Sequence, residues 1–164
     1  MSRRAVQIAV IGGGAPDEAL GEVAHEVGRR LAEGGAVVVC GGLGGVMEAA
    51  ASGAREAGGD VIGILPGSEP AEANPHCTHV VAAATGKARN LAVVCSADAV
   101  IAIGGEWGTL SEIAHARAFG RSVIALQSWS VNPAVPLPHG EGIEVAADAA
   151  GAVDSALALA AAAR

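Results

Sequence analysis

Short apolar runs, rich in Val, Ile and Ala, alternate along the chain with segments whose apolar residues recur every three or four positions. The first kind of segment predicts buried strands, and the second predicts amphipathic helices. The predicted strands are Ala5–Ile11, Ala36–Cys40, Asp60–Leu65, His79–Ala83, Ala97–Ile103 and Ser122–Leu126. The predicted helices are Asp17–Glu33, Val46–Ala57, Gly86–Ser96, Thr109–Gly120 and Ala147–Ala163. Continuous apolar strands separated by helices are typical of a parallel sheet that is covered on both faces.

The order of these elements therefore predicts an α/β fold, a single doubly wound parallel sheet of the Rossmann-like kind with helices on both faces. A chain of 164 residues suits one domain with one core, so residues 1–164 are expected to form a single domain. Two Pro-containing stretches, 66–77 and Ser128–Ile143, are predicted to be irregular loops. Because 51% of the residues are apolar but only 2% are aromatic, Ala, Val, Ile and Leu must fill the core.

The charge and the cysteine content narrow the range of partners. A formal charge of −7, without a basic cluster, argues against a nucleic acid or an anionic membrane surface. A small anionic ligand stays open, because helix N-termini bind anions locally whatever the net charge. The three cysteines, Cys40, Cys77 and Cys95, are too few and too widely spaced for a disulfide framework. Reduced cysteines, and the lack of a stretch long enough to span a membrane, predict a cytoplasmic protein.

Clusters of glycine follow three of the predicted strands, at Gly12–Gly14, Gly41–Gly45 and Gly104–Gly108. In doubly wound sheets, ligands bind beyond the carboxyl ends of the strands, where the strand order reverses. The second and third clusters lead directly into helices, so they expose free amides at positive helix ends. Close helix–sheet packing alone explains one such cluster, but three together favour a binding site. The predicted ligand- and phosphate-binding residues are Gly12, Gly13, Gly41, Gly42, Gly44, Gly45, Gly104, Gly105, Glu106, Gly108 and Thr109.

Three common kinds of site lack support in the sequence. The first strand is followed by GGGAPDEAL instead of a G-x-G-x-x-G turn, and the second ends in Cys-Gly-Gly where an NAD site needs an acid. The Gly-Lys pair in ATGKARN lacks the upstream glycine of a Walker loop. No spacing typical of metal ligands occurs, so His76, Cys77 and His79 are assigned to a solvated loop and no metal is predicted.

The segment IAIGGEWGTLSE, which ends at Glu112, places two carboxylates at the end of a buried strand. Glu112 follows Thr109 at the spacing of a capping box, in which the two residues close the first turn of a helix. The same position suits a carboxylate held beside a ligand, and the two roles can coexist. Glu106 would repel a phosphate, so it is expected to face a sugar hydroxyl or solvent. Trp107 is expected to cover either the ligand or the loop.

Arg89 lies early in a predicted helix, where the helix dipole disfavours a cation. Its position therefore indicates an anionic partner nearby. Lys87, the single lysine of the chain, lies in the same region, and a solvated first turn explains it equally well.

Two stretches of the chain resemble the LOG-like proteins, namely GGLGGVMEAAASGAREAGGDVIGILPG and ARNLAVVCSADAVIAIGGEWGTLSEIAHA. That family has a Rossmann-like fold, a P-G-G-x-G-T-x-x-E motif and an upstream arginine, and it includes cytokinin-activating phosphoribohydrolases. The similarity runs from Gln7 to about Leu126. It looks closest to the short bacterial branch that also resembles molybdenum cofactor carrier proteins.

The resemblance also assigns roles to particular residues. Arg89 and Glu112 correspond to the arginine and the glutamate that act on the N-glycosidic bond of nucleoside 5′-monophosphates in the hydrolases. The residues that correspond to the phosphate-binding segment are Gly105, Gly108 and Thr109. This chain departs from the motif, with Gly104 in place of its proline and Glu106 in place of its second glycine. Asn90 stands where a lysine usually follows the arginine.

The resemblance implies a protein that binds a nucleotide or another phosphorylated ligand, similar to molybdenum cofactor carriers. No cofactor is required, and the expected ligand is a nucleotide or a molybdopterin-type molecule. The alternative is an enzyme, a phosphoribohydrolase that releases free base and ribose 5-phosphate, with Arg89 and Glu112 as catalytic residues. The departures from the motif favour the binding protein. A lysine decarboxylase, a label carried by many family members, is rejected because Lys87 is the sole lysine and no partner for a pyridoxal ring is visible. The family also implies a homo-oligomer, a dimer or a tetramer.

Overall fold

The computed structural model describes residues 4–137 and 142–164 of the chain. The strands are β1 (Gln7–Gly12), β2 (Val37–Cys40), β3 (Val61–Leu65), β4 (His79–Ala82), β5 (Ala99–Ile103), β6 (Ser122–Leu126) and β7 (Ile143–Ala146). The helices are α1 (Glu18–Glu33), α2 (Val46–Glu56), α3 (Arg89–Cys95), α4 (Trp107–Ala118) and α5 (Ala149–Ala162). Two short 3-10 turns, Pro70–Glu72 and Gly86–Ala88, precede β4 and α3.

The strands form one parallel sheet in the order β4-β3-β2-β1-β5-β6-β7. The chain builds outwards from β1 to β4 and then returns to place β5 on the other side of β1. The strand order therefore reverses between β1 and β5, which is where such sheets leave a crevice at their carboxyl edge. The predicted α/β fold with a single doubly wound parallel sheet is confirmed.

Helices cover both faces of the sheet. Helices α1, α2 and α5 pack on one face, and α3 and α4 pack on the other. The two buried clusters consist of small and branched aliphatic side chains, as the composition predicts. The three aromatic residues of the chain, Trp107, Phe119 and Trp129, all lie outside the fully buried core.

Helices α1 and α2 cross with their main chains in close contact. A methyl group on Gly28 would lie 1.9 Å from the carbonyl oxygen of Ala50, and one on Gly53 would lie 1.9 Å from that of His25. No side chain larger than hydrogen fits at either position. The small residues of α2 therefore serve to bring this helix against α1, and they fix where α2 begins at the carboxyl edge of the sheet.

The start of α4 differs from the prediction. The helix begins at Trp107, with Glu106 at the N-cap position, and the side chain of Glu106 makes no capping hydrogen bond. Thr109 is therefore the third residue of the helix and not its cap, so the predicted capping box with Glu112 is wrong. The error arises because Gly108, the second residue of the helix, is a poor helix former and no side-chain cap marks the helix start at Glu106.

The seventh strand was not predicted. The strand Ile143–Ala146 begins at the last residue of the predicted irregular loop, Ser128–Ile143, of which residues 138–141 lie outside the described residues. The strand pairs with β6 alone, and Val145 is 74% exposed. An edge strand buries too little apolar surface to produce the continuous apolar run that identified the inner strands. Helix α5 follows, with Asp148 as its cap, and it begins two residues later than predicted.

Candidate functional site

A pocket of about 180 Å³ opens at the carboxyl edge of the sheet, where the strand order reverses between β1 and β5. The glycine segment after β1 forms one wall, and the segment after β5 together with the start of α4 forms another. The first turns of α2 and α3 contribute the rest. The residues that line it are Gly12, Gly13, Gly14, Met47, Arg89, Asn90, Glu106, Gly108, Thr109 and Glu112. One cation and two carboxylates therefore share a small space with several bare main-chain segments.

Arg89, the first residue of α3, supplies the cation. It is only 8% exposed, and its Nε has no hydrogen-bond partner. Burial lowers the pKa of the guanidinium, although the charges of Glu112 and Cys40 oppose this effect. An arginine nevertheless keeps its charge in proteins, so the pocket holds a positive group with unused hydrogen-bonding capacity.

Gly41, at the end of β2, makes room for that guanidinium. A methyl group at this position would lie 1.8 Å from Nη1 of Arg89 and 2.5 Å from Sδ of Met47. Gly41 therefore leaves the space that the guanidinium of Arg89 occupies beside the end of β2, although Gly41 does not itself line the pocket.

Glu112, in the second turn of α4, supplies a buried carboxyl group. It is 8% exposed, and this burial raises the pKa of Glu112 to about 7, although the charge of Arg89 lowers it. Desolvation therefore outweighs the attraction of the nearby cation. The carboxyl group exchanges its proton close to neutral pH, so it can either donate or accept a hydrogen bond toward the pocket.

The N-terminus of α4 forms the wall between these two residues and Glu106. The first intrahelical bond is that from the amide of Leu110 to the oxygen of Glu106, at 3.1 Å. The amides that precede Leu110 therefore lack intrahelical partners and carry the positive end of the helix dipole. Gly105 has a φ of +101°, and a methyl group on it would lie 2.3 Å from Oγ1 of Thr109, so the turn that exposes these amides requires glycine.

The structure brings together seven of the residues that the sequence singled out. They line the pocket side by side: Gly12, Gly13, Arg89, Glu106, Gly108, Thr109 and Glu112. Gly104 and Gly105 border a neighbouring hollow together with the segment Gln127–Ser130. Lys87 is exposed and does not line the pocket.

The second glycine cluster lies beneath the pocket instead of lining it. The amide of Val46, at the start of α2, donates to the oxygen of Gly13 at 3.0 Å, and so one glycine loop rests on the other. Asn74 donates from its main chain to Gly42 and from its side chain to Leu43, at 2.8 and 2.9 Å. The first free amide of α2 is therefore already bonded. The pocket is therefore not lined by the predicted binding residues Gly41, Gly42, Gly44 and Gly45.

Three residues of the pocket were not assigned to it from the sequence: Gly14, Met47 and Asn90. Gly14 ends the first glycine cluster, of which only the first two members were selected. Asn90 is adjacent to Arg89, and its position next to the selected arginine was an available signal. Met47 carried no such signal, because a methionine in the first turn of a helix is ordinary core material.

The remaining local cluster contains Cys77, which lies beside Cys40 at the end of β2. A hydrogen bond with Cys77 and burial raise the pKa of Cys40 well above its usual value. The pKa of Cys77 is lowered by the same contact. Within residues 4–137 and 142–164, no three His, Cys, Asp or Glu side chains are grouped so as to hold a metal ion. In the same residues, no helix is long and apolar enough to cross a membrane.

The parallel sheet defines a Rossmann-like protein, and its pocket lies at the reversal of strand order, where proteins of this architecture usually bind their ligands. Within that class, the chain belongs to the SLOG cluster4 family, whose sequence model matches residues 5–152. An uncharacterized protein of Archaeoglobus fulgidus is 46% identical over 122 residues, which cover 74% of this chain and 80% of that protein. The family model thereby confirms the resemblance to the LOG-like proteins.

Two solved structures share the fold over nearly their whole length. The molybdenum cofactor binding protein of Rippkaea orientalis superposes with a TM-score of 0.86 at 29% identity, covering 96% of this chain and 99% of that one. The molybdenum cofactor carrier protein of Chlamydomonas reinhardtii gives a TM-score of 0.85 at 32% identity, with the same coverage of both chains.

Proposed function

We propose that this protein binds a small phosphorylated ligand, of the molybdopterin or nucleotide type, and acts as its carrier. The observation that carries the proposal is the position of Arg89, a buried cation with an unpaired Nε in a pocket at the carboxyl edge of the sheet. Arg121 also has a buried, unpaired Nε, but it lies just before β6, at the opposite edge of the sheet. Arg89 is therefore distinguished by its place in the pocket, and not by its unpaired Nε alone.

A phosphate suits this setting for electrostatic reasons. Its oxygens accept hydrogen bonds from the guanidinium of Arg89 and from the free amides at the start of α4. Protonation of Glu112, favoured by a pKa of about 7, removes a charge that would repel the phosphate. Glu106 lies at the exposed rim, where it is better placed for a sugar or pterin hydroxyl than for the phosphate.

The solved relatives support the pterin form of the ligand. Two proteins that share the fold over nearly their whole length are described as binding or carrying the molybdenum cofactor. The pocket here provides a cation and amides for the phosphate end of such a molecule. When bound, the cofactor would supply its own metal chemistry, and the role of this chain would be to hold it and keep it from water.

The proposal is tested by calorimetric titration with inorganic phosphate, AMP and neopterin phosphate. We expect saturable binding of the phosphorylated ligands, weakened roughly 10- to 150-fold in Arg89→Met, because a hydrogen bond to a charged group contributes about 1.5–3 kcal/mol. Arg121→Met removes a comparable arginine from the opposite edge of the sheet and is the matched control. Equal affinities in the two variants, or no binding of any probe to the wild type, would refute the proposal.

A second candidate is favoured by the pKa of Glu112. A carboxyl group that titrates near pH 7 beside an anion-binding arginine is suited to proton transfer during cleavage of an N-glycosidic bond. On this hypothesis the protein is a phosphoribohydrolase, in which Glu112 stabilises the sugar cation or guides water while Arg89 holds the phosphate. Chromatography of nucleoside monophosphates incubated with the protein tests it. Release of base that disappears in Glu112→Gln would establish the enzyme, and a lack of release from protein that binds AMP would leave the carrier.

We also propose a cytoplasmic homo-oligomer, a dimer or a tetramer, as the family resemblance implies. Support for a reducing compartment comes from the cysteine content, because three widely spaced cysteines do not suit a disulfide framework. Sedimentation of the purified protein over a range of concentrations measures the number of subunits directly.

A further inference from the structure

The two tryptophans of the chain lie against each other beside the pocket. Trp107 is the first residue of α4, and its neighbours in sequence, Glu106 and Gly108, both line the pocket. Its ring centroid is 5.2 Å from that of Trp129, with 38° between the ring planes. Trp107 is 76% exposed, so one large aromatic surface faces solvent next to residues that line the pocket, although Trp107 itself does not line it.

Hydrogen bonds hold this pair onto the glycine loop. Nε1 of Trp129 donates to the carbonyl oxygen of Glu106 at 3.2 Å, and Oγ of Ser128 donates to that of Gly104 at 2.5 Å. The segment after β6 is thereby attached to the segment after β5 at two points. The rings consequently have a defined position relative to the free amides of α4, and they would move with that loop.

Packing does not explain why a tryptophan occupies position 107. The core of this protein contains no aromatic side chain, and helix α4 buries Thr109, Glu112, Ile113 and Ala116 instead. A large exposed aromatic side chain carries a hydration cost that a polar residue at the start of a helix would avoid. The indole of Trp107 therefore adds little to the core, and most of its surface is left open beside its contact with Trp129.

The size of the pocket indicates what the rings are for. Sites for whole small molecules usually enclose about 300–1,000 Å³, whereas the pocket around Arg89 encloses about 180 Å³. This volume suits a phosphate and little more, so the remainder of a larger ligand must extend past the rim. A second hollow of about 290 Å³, lined by Gly104, Gly105 and the segment Gln127–Ser130, adjoins the rim and includes Trp129.

We propose that Trp107 and Trp129 form a stacking platform for the flat heteroaromatic part of a ligand whose phosphate lies in the pocket beside Arg89. This inference rests on the proposed binding function and adds which part of the ligand is recognised outside the pocket. The ring nitrogen of Trp129 is already bonded to Glu106, so Trp129 offers a ligand its ring face rather than its N–H group. It should accept purines and pterins alike and discriminate against phosphorylated sugars that lack a ring system.

The composition of the chain makes the platform directly observable. It contains two tryptophans and no tyrosine, so its tryptophan fluorescence comes from this pair alone. Titration of the wild-type protein with AMP or neopterin phosphate should quench that fluorescence. Ribose 5-phosphate, which has no aromatic ring, should bind in the pocket with little quenching.

Calorimetry on variants then separates the platform from the phosphate site. Trp107→Ala should weaken AMP binding roughly 5- to 150-fold, the range measured for removing one stacked aromatic. Trp107→Phe should restore most of the affinity, and both variants should bind ribose 5-phosphate as the wild type does. Because Trp107 is exposed, both variants should keep the wild-type circular dichroism spectrum.

Three results would overturn the platform, and they are distinguishable. If AMP binds the wild type and Trp107→Ala with equal affinity, the platform is wrong and the phosphate site stands. If neither AMP nor ribose 5-phosphate binds the wild type, the proposed function fails together with the platform. If the fluorescence changes with protein concentration in the absence of ligand, and sedimentation shows an association lost in Trp107→Ala, the rings form an interface between copies.

Discussion

Replacing Glu112 by glutamine should change how the stability of the protein depends on pH. Burial raises the folded-state pKa of Glu112 from its ordinary value of 4.5 to about 7, so the folded state favours the neutral acid. Below about pH 4.5 the side chain is neutral in both states and its contribution to stability is fully present. As the pH rises from about 4.5 through about 7, the unfolded state ionises while burial keeps the carboxyl group of the folded state protonated, so this contribution to stability is lost. The sign is thus opposite to that of a salt-bridged carboxylate.

The size of the effect follows from the same values. A pKa raised from 4.5 to about 7 corresponds to about 3 kcal/mol of unfolding free energy, lost between acidic and alkaline pH. For a chain of 164 residues, that difference is equivalent to roughly 6–12 °C in Tm. Glutamine keeps the shape of the side chain and cannot ionise. Glu112→Gln should therefore match the wild type near about pH 3.5, below both pKa values, and exceed its stability by up to about 3 kcal/mol near about pH 8.5.

Urea unfolding followed by circular dichroism, at both pH values, measures this difference. Glu106→Gln is the matched control, because it removes an exposed carboxylate from the same pocket, and it should not reproduce the gain at alkaline pH. A stability difference between the wild type and Glu112→Gln that is the same at both pH values would refute the argument. It would mean that the carboxyl group is hydrated in the folded state despite its burial.

Two further predictions concern the glycines. Gly41→Ala should leave the fold intact but weaken phosphate binding about 10-fold or more, because the added methyl group would displace the guanidinium of Arg89. Titration of the variant with phosphate measures this loss, and an unchanged affinity would contradict the prediction. Gly105→Ala should lower the unfolding free energy by about 1–3 kcal/mol, because φ is +101° and the methyl group would overlap Thr109. Gly108→Ala is its control, since no atom lies within 4 Å of the added methyl group and stability should change little; equal losses in thermal unfolding of the two variants would show that the turn geometry is not the cause.

Strong apolar runs made the inner part of the sheet predictable. Strands such as β5, buried at every residue, leave a continuous pattern that no surface segment imitates. The edge strand β7 was missed because it has only four residues, none of them fully buried, and follows a Pro-rich stretch. The start of α4 was misplaced because the main chain at Glu106 caps the helix without a side-chain bond, which leaves no mark in the sequence.

The candidate site was predictable only where residues follow strand ends. The sequence selected Arg89 and Glu112, and the structure places both in one pocket at the carboxyl edge. The role of Gly41 as a space for Arg89 could not be foreseen, because it depends on a contact between residues far apart in the chain. The hydrogen bond from the amide of Val46, at the start of α2, to the oxygen of Gly13 is likewise a long-range contact that leaves no periodic pattern in the sequence. Local sequence patterns thus predicted where the pocket lies, but they could not distinguish the residues that line it from those that support it from outside.

The main-chain contact between α1 and α2 has a consequence for how this pocket can change during evolution. Helix α2 is held against α1 at Gly28 and Gly53, and it carries Met47 in the wall of the pocket at its other end. A methyl group at either glycine would push the whole helix outwards and take Met47 with it, because a helix moves as one body. Selection for a particular ligand therefore acts on two positions that never meet that ligand, and relatives with different preferences should be compared there as well as in the pocket wall.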